Sequence, residues 1–536
     1  MSIPRWNPSP TTTKQEAYLL SRLTRTRRLY RFLRLYRRDL FDESFQEELE
    51  TMYRVTGAGK PPCPPALLAM ACLLQGYQKV SDAEAVELTV VDLRWQMVLE
   101  RLGEEGPAFA QGTLVDFRNR MVRTNMDRRL LERTVALAKK TGEFDPKKLP
   151  KTLRVAIDSA PLEGAGRVED TINLLWHAAR KIVEGLVMLL KSDKETVCQQ
   201  AGIPLLLAAS AKGALDRDWS QPGATQEALE QLTQQLEALV TWLSFHHGAL
   251  MGLPPVSPYV RVLEQVIQQD LEPDPDPAKD ELRLREGVAK DRRISVEEAE
   301  MRHGRKSKSK RIDGYKRHIV TDLDSDLILA CALTPANRPE AEAVPSLEQD
   351  LAAQGLTVDE LQVDQAYVNS SLAQAVRARG GLVLCRPRVT NNGELFRKED
   401  FTLDLEQMTL HCPAGHQKPI QLGKTVVFDA PLCRDCLLRL RCTNASADRG
   451  RTVSIAADEP VQQQLRERIK TPAGRAALRE RVAVEHDLAH VVYRQGDQAR
   501  YFTQRKNLYD LRRTAAIGNL EKIQRVHQQQ HGQMAA

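Results

Sequence analysis

The run Leu153-Arg154-Val155-Ala156-Ile157-Asp158-Ser159 constrains this chain more than any other stretch. Leu153, Val155 and Ile157 alternate with Arg154, Ala156 and Asp158, a period of two. That predicts a strand with one buried face and an aspartate on the other. Residues 360–367 have the same character and predict a second strand, carrying Asp364. Far downstream, residues 478–492 read as helix. Leu478, Val482, Glu485, Ala489 and Val492 fall at spacings of four, three, four and three, so Glu485 is expected within an apolar stripe. A carboxylate there needs a partner, because an unpaired buried charge is costly. Arg481, four residues earlier, is one such partner. Metal is the other, if the three carboxylates meet in space. An aspartate at a strand end also caps turns, so the argument rests on the three together.

The rest of the chain supplies the frame. Its 536 residues predict three or four units, at about 100–200 residues each. No apolar run is long enough to span a membrane, and no secretory h-region opens the chain, so a cytoplasmic, nucleoid-associated protein is expected. Net charge is only +6, but the basic residues cluster. Residues 21–38 hold eight arginines and no acid, and residues 301–317 hold eight Lys/Arg and one acid, Asp313. Such clusters suit a phosphate backbone, where each neutralised phosphate releases counterions; a solvated helix face is the plainer alternative.

In chain order, residues 1–60 read as a basic helical arm in which Tyr30, Phe32, Leu33, Leu35 and Tyr36 interleave with arginines. Pro61-Pro62-Cys63-Pro64-Pro65 is a rigid break. Residues 61–145 read as a helical DNA-binding domain, in which Ser81-Asp82-Ala83-Glu84 has the capping-box pattern and one helix runs from Thr113 towards Leu131. Residues 142–151 read as a Lys/Pro linker. A helical insertion, 170–299, follows the first strand; within it residues 270–276 read as linker, and Trp176 and Trp219 as core residues or as partners for a flipped base. A hairpin flanking Asp322-Leu323-Asp324-Ser325-Asp326, a helix, the Asp364 strand, another helix and the strand at 381–385 come next. A cysteine-rich insert, 391–464, precedes the closing helices, and residues 521–536 form a tail.

Without the two insertions, residues 146–169, 300–390 and 465–520 give strand, hairpin, helix, strand, helix, strand, helix. That predicts an α/β fold, a mixed sheet flanked by helices as in ribonuclease H-like nucleases. Transfer of a phosphoryl group on DNA needs an activated oxygen nucleophile and a stabilised leaving oxygen. Two Mg²⁺ ions about 3.5–4 Å apart do both, and Mg²⁺ prefers oxygen ligands. Asp158, Asp364 and Glu485 are therefore the candidate catalytic, metal-holding residues, for Mg or Mn.

Of nine cysteines, four are grouped: Cys412, Cys433, Cys436 and Cys442. A CxxC knuckle with two further thiols suits tetrahedral Zn²⁺ in a structural role, with His411 and His416 as alternative ligands; four reduced cysteines in a small β insert is the other reading.

At these residues the chain resembles bacterial insertion-sequence transposases of the DDE type. Val155-Ala156-Ile157-Asp158-Ser159, with Gly164-Ala165-Gly166-Arg167 and Asp170-Thr171, resembles their first-aspartate segment. His303-Gly304-Arg305-Lys306-Ser307 and Gly314-Tyr315-Lys316-Arg317-His318 resemble the segment entering the hairpin, and Thr334-Pro335-Ala336-Asn337 the one leaving it. Val363-Asp364-Gln365-Ala366-Tyr367 resembles the second-aspartate strand, and Arg481-Val482-Ala483-Val484-Glu485 the arginine-three-glutamate signature. Asn507 and Asn519-Leu520 resemble the C-terminal helix. The chain departs from the family at three places: Gln365-Ala366 stand where a Lys-Gly pair more often precedes the tyrosine, Leu478 stands for a tyrosine, and Val492 for a lysine that Arg494 would replace. The resemblance implies cut-and-paste transposition. Metal-activated water hydrolyses the bond at an element end, and the freed 3′-hydroxyl attacks target DNA. It also implies terminal inverted repeats held by a homodimer. Arg305, Lys306, Lys308, Lys310, Lys316, Arg481, Arg505 and Lys506 are the candidate DNA contacts; Arg505 and Lys506 belong to a C-terminal basic face with Arg500, Arg512 and Arg513, which could instead be solvated. Two alternatives stand: a transposase-derived DNA-binding protein that does not cut, and a ribonuclease H-like nuclease without strand transfer.

Overall fold

The computed structural model describes residues 3–24, 27–54, 61–141, 153–276, 281–307 and 309–533. The expected linker at 142–151 and Lys308 lie outside the described residues. The period-two run forms the strand Leu153–Glu163, longer than the sequence predicts. It sits inside a six-stranded mixed sheet. On one side it pairs antiparallel with Arg311–Asp322, which pairs antiparallel in turn with Ile328–Pro335 and with the edge strand Arg302–Arg305. On the other side it runs parallel to Val358–Gln362, and that strand parallel to Leu382–Leu384. Parallel neighbours need crossovers; the helices Val344–Ala353 and Ser371–Ala378 supply them. The expected order of elements is therefore present. One boundary differs: the strand predicted at 360–367 ends at Gln362, and Asp364 lies in the turn beyond it.

Eight helices between Lys14 and Lys140 precede the sheet among the described residues. Ser81 caps one as its pattern predicts, its hydroxyl accepting from the Glu84 N–H at 3.1 Å. The single helix expected from Thr113 is two, Gln111–Thr124 and Met126–Lys140, because Asn125 takes a left-handed φ of 59° between them. These helices, the sheet and the closing helix Gln504–Gln533 share one core, which joins Tyr30, Trp95 and Phe117 to Val155, Ile319 and Ile517.

That shared core changes the reading of the basic residues around it. The arm does not lay all its arginines outward. Tyr30, Phe32 and Leu33 are buried, and the same helix face carries Arg34 and Arg37 inward. Arg34 reaches Glu16 Oε2 at 2.9 Å, and Arg37 donates to the Met97 and Val98 carbonyls, each at 2.9 Å. In the closing helix, Arg512 pairs with Asp127 at 3.2 Å and Asp350 at 2.9 Å, and Arg513 pairs with Asp510. Arg505 also pairs with Asp127, at 3.1 Å to Oδ2. The expected basic face is thus partly a set of buried ties from the closing helix to the N-terminal helices and to the crossover helix Val344–Ala353; Lys506 remains exposed.

The helical insertion has a core of its own, built on Thr171–Leu190, Ala224–His247 and Ser257–Asp270. Trp176 is buried in it and Trp219 packs at its edge, so both act as core residues. The linker expected at 270–276 begins as a strand: Leu271–Pro273 pairs with Leu282–Leu284. The insertion joins the sheet tightly. The Gly166 N–H donates to Glu298 Oε2 at 2.8 Å, and the Tyr315 hydroxyl donates to Glu298 Oε1 at 2.6 Å. A Cβ at Gly166 would lie 2.6 Å from Ser295 Oγ, which explains glycine there. The cysteine segment folds as two small antiparallel sheets around Phe401, Leu410, Phe428 and Val453. No helix among the described residues is long and apolar enough to cross a membrane.

Candidate active site

Strand register brings the two aspartates level. Ala156 pairs with Gln362 in the parallel ladder. Two residues further along stand Asp158, midway along Leu153–Glu163, and Asp364, just beyond the end of Val358–Gln362. Neighbouring strands lie about 4.8 Å apart. Each carboxylate also closes a local turn: Asp158 Oδ1 accepts from the Ser159 N–H at 2.8 Å, and Asp364 Oδ1 from the Ala366 N–H at 3.0 Å. Burial raises the Asp364 pKa above the ordinary carboxylate value, and the negative charge of Asp158 adds to the rise, while Arg481 opposes it. Arg481 Nη2 lies 3.3 Å from Asp158 Oδ2. Two carboxylates and one guanidinium therefore share this end of the sheet.

Glu485 is placed differently from its expectation. The helix predicted across 478–492 is two, Pro472–Glu480 and Val482–Gln495, meeting at Arg481. The buried face of the second carries Val484, Asp487, Leu488 and Val491, one position removed from the stripe read in the sequence. Glu485 is exposed, as is Val482. The stripe failed because Leu478 belongs to the preceding helix, and without it Ala489 and Val492 match another face as well. Glu485 stands one helical turn beyond Arg481, on its side of the helix. Among the described residues, no hydrogen bond or ion pair joins it to either aspartate.

Sequence reasoning missed Glu340. It opens the turn Glu340–Ala343 after the hairpin. Burial raises its pKa, with Asp364 and Asp158 adding to the rise and Lys316 opposing it, so it faces the same centre. No periodicity marks it; only its position after Thr334-Pro335-Ala336-Asn337 could have drawn notice. Beneath the carboxylates, His318 Nδ1 and the Tyr367 hydroxyl are 2.6 Å apart, and His318 Nε2 and Thr334 Oγ1 are 2.9 Å apart. Full burial lowers the His318 pKa to about 3, so the ring stays neutral and braces the Tyr367 turn. Lys306 Nζ donates to the Ser159 carbonyl at 3.2 Å, beside Asp158.

Among the described residues, no group of three or more His, Cys, Asp or Glu stands in metal-holding geometry. The aspartate pair nevertheless fits a divalent ion by chemistry. Both are oxygen donors, Mg²⁺ is commonly held by one or two carboxylates plus substrate phosphate, and Asp364 is destabilised as an anion beside Asp158. In the cysteine segment, Cys412, Cys433, Cys436 and Cys442 line one small cavity with His416. Gly415, at φ 86°, turns the chain after Cys412, and the backbone N–H groups of Arg451 and Leu438 point at Cys433 Sγ and Cys436 Sγ, each at 3.4 Å.

Comparison with known families bears on both ends of the chain. Residues 406–524 match a family described as a transposase DDE domain. Residues 19–120 match a transposase domain, DUF772. The first match covers Arg481 and Glu485; neither covers Asp158 or Asp364. No curated protein and no solved structure matches the chain. The two matches support the resemblance of the chain to insertion-sequence DDE transposases.

Proposed function

We propose that this transposase binds the terminal inverted repeats of its element, cleaves DNA at the element ends and joins the 3′-hydroxyl ends to target DNA. The observation that carries this reading is the parallel register of Ala156 with Gln362, from which Asp158, midway along its strand, and Asp364, just past the end of the next, follow at equal steps. The strand order supports a ribonuclease H-like sheet: in sequence order the central strand is first, its antiparallel hairpin lies on one side and its two parallel partners on the other. Asp158 and Asp364 would hold divalent metal, Mg or Mn, with Glu485 as the third, separately tested ligand. Metal held there would activate water and stabilise the leaving oxygen.

The chain's own groups then have distinct tasks. Arg481 holds Asp158 through Nη2, while its buried Nε has no hydrogen-bond partner among the described residues. A phosphate oxygen satisfies such a donor, and the bidentate fork of arginine suits it. Lys306, anchored at the Ser159 carbonyl, places positive charge where a scissile phosphate would lie. Arg305, at the end of the edge strand, and Lys310, beyond it, extend that charge; Lys308 is proposed with them from the sequence alone, and Lys506 adds to it elsewhere. Cys412, Cys433, Cys436 and Cys442 would hold structural zinc, tying the knuckle to the two short helices that follow it. A homodimer assembled on DNA, and a nucleoid location, complete the proposal.

The test is Mg²⁺-dependent nicking of DNA carrying the element's ends. Asp158→Asn and Asp364→Asn each abolish nicking while end binding persists, and Glu485→Gln does the same if the third ligand is rightly assigned. Near-normal nicking by either aspartate variant refutes the centre.

A further inference from the structure

The ion pair at the carboxylate centre contains a conflict. Asp158 is assigned to the metal, yet a cation of the protein already stands at one of its oxygens: Arg481 Nη2 lies 3.3 Å from Oδ2. The other oxygen, Oδ1, accepts from the Ser159 N–H at 2.8 Å. Mg²⁺ binds oxygen at about 2.0–2.1 Å, closer than the roughly 2.7–2.9 Å of a guanidinium on a carboxylate. Two cations at one carboxylate oxygen repel each other, so arginine and ion compete for Oδ2.

The pair has the marks of one that exchanges. Among the described residues no hydrogen bond accompanies it, whereas Arg118 grips Asp82 with two, each 2.8 Å. The side chains of Arg481 and Asp158 are 18 % and 17 % exposed, so water reaches both. One guanidinium also serves two carboxylates: it opposes the raised pKa of Asp364 without cancelling it. A divalent ion brings twice the charge to the same place. The backbone permits the exchange. Arg481 belongs to neither helix, since Pro472–Glu480 ends before it and Val482–Gln495 begins after it, and no side chain caps the second helix. Further along, that helix is fixed: Asp487 pairs with Lys522, and Gln495 Oε1 accepts from the buried Arg317 at 2.9 Å. The Arg481 side chain can therefore change partner while the helix beyond it stays in place.

We propose that Arg481 and a divalent ion are alternative partners of Asp158: the arginine holds the carboxylate until an ion arrives at Asp158 and Asp364, and the ion displaces it. Metal loading and release of the guanidinium are then one event, so Arg481 is free for another anion only at a loaded centre. The inference rests on the assignment of Asp158 and Asp364 as the metal-holding pair.

The experiment reads the arginine itself. The full chain, without DNA, is treated briefly with phenylglyoxal in EDTA or in excess Mg²⁺, and the modified arginines are located by mass spectrometry. Arg479, exposed and two residues earlier, is the internal standard. Modification of Arg481 relative to Arg479 should rise about three- to fivefold with Mg²⁺, the upper part of the range for a partly exposed ion pair. Asp158→Asn should show the high rate already in EDTA, and Asp364→Asn the low rate in both conditions. Mn²⁺ binding, followed by electron paramagnetic resonance on the same samples, separates the two ways to fail. If the parent chain binds Mn²⁺ and Asp364→Asn weakens that binding, yet Arg481 is no more reactive with Mg²⁺, the displacement is overturned and the centre stands. If Asp364→Asn leaves Mn²⁺ binding unchanged, or the parent chain binds none, the centre is refuted and this inference with it.

Discussion

Two helical regions flank the sheet, and they are held in opposite ways. The N-terminal helices share the sheet's core and are tied to it by buried charges, Arg512 with Asp127 and Asp350 above all. The insertion keeps a separate core and meets the sheet through a narrow joint around Glu298 and Gly166 and across a cleft. Both regions read alike in the sequence, as helices beside basic residues. Their packing sets them apart: the first shares one core with the sheet, while the second keeps its own.

The strongest way to break this contrast is to cut the tie on one side only. Arg512→Met leaves Asp127 and Asp350 as buried carboxylates with less compensation. Breaking a buried pair in this way costs about 3–5 kcal/mol. Chemical denaturation should show that loss, with hydrogen exchange rising in the N-terminal helices and the sheet together. Exchange rising in the helices alone would mean that they are a separate unit.

A cavity in each core sharpens the same contrast. Leu73 and Leu232 are both fully buried, one in the shared core and one in the insertion. Either change to alanine should cost about 2–5 kcal/mol. Leu73→Ala should loosen the sheet as well as the helices around it, whereas Leu232→Ala should raise exchange only within 171–296. Spread of the second effect into Leu153–Glu163 would contradict the separate core.

The smallest effect concerns acid. The hydrogen bonds from the Arg118 guanidinium lower the Asp82 pKa from 3.8 to about 2. A carboxylate depressed on folding adds stability above its unfolded pKa, and that stability is lost as pH falls through the folded value. Between about pH 4 and pH 2 the pair should therefore give up on the order of 2 kcal/mol. Asp82→Asn should flatten the melting temperature across that window relative to the parent chain, and an equal slope in both would remove the pair from the ledger.

How much of this was legible beforehand depends on what kind of fact was being read. The strand of Asp158, the hairpin and the insertion follow from periodicity, because burial of one face writes a period into the sequence. The position of Asp364 beside Asp158 follows from strand order. Glu485 was misplaced because a helix break at Arg481 shifts the buried face by one residue, and spacing alone does not show a break. Arg34, Arg37 and Arg512 looked like ligands for DNA because sequence shows charge but not the aspartate, glutamate or carbonyl that meets it across the core. Glu340 carries no pattern at all; only the fold brings it near Asp364, Asp158 and Lys316.

The central claim is that residues far apart in sequence surround one cation. Iron(II) can replace magnesium and, with ascorbate and peroxide, cut the backbone next to where it is held. The account predicts scission near Asp158, Asp364 and the Arg481–Glu485 turn in the same sample, suppressed together by excess Mg²⁺ and by Asp364→Asn. Scission at one of these segments without the others, or a pattern that Asp364→Asn leaves unchanged, would contradict it.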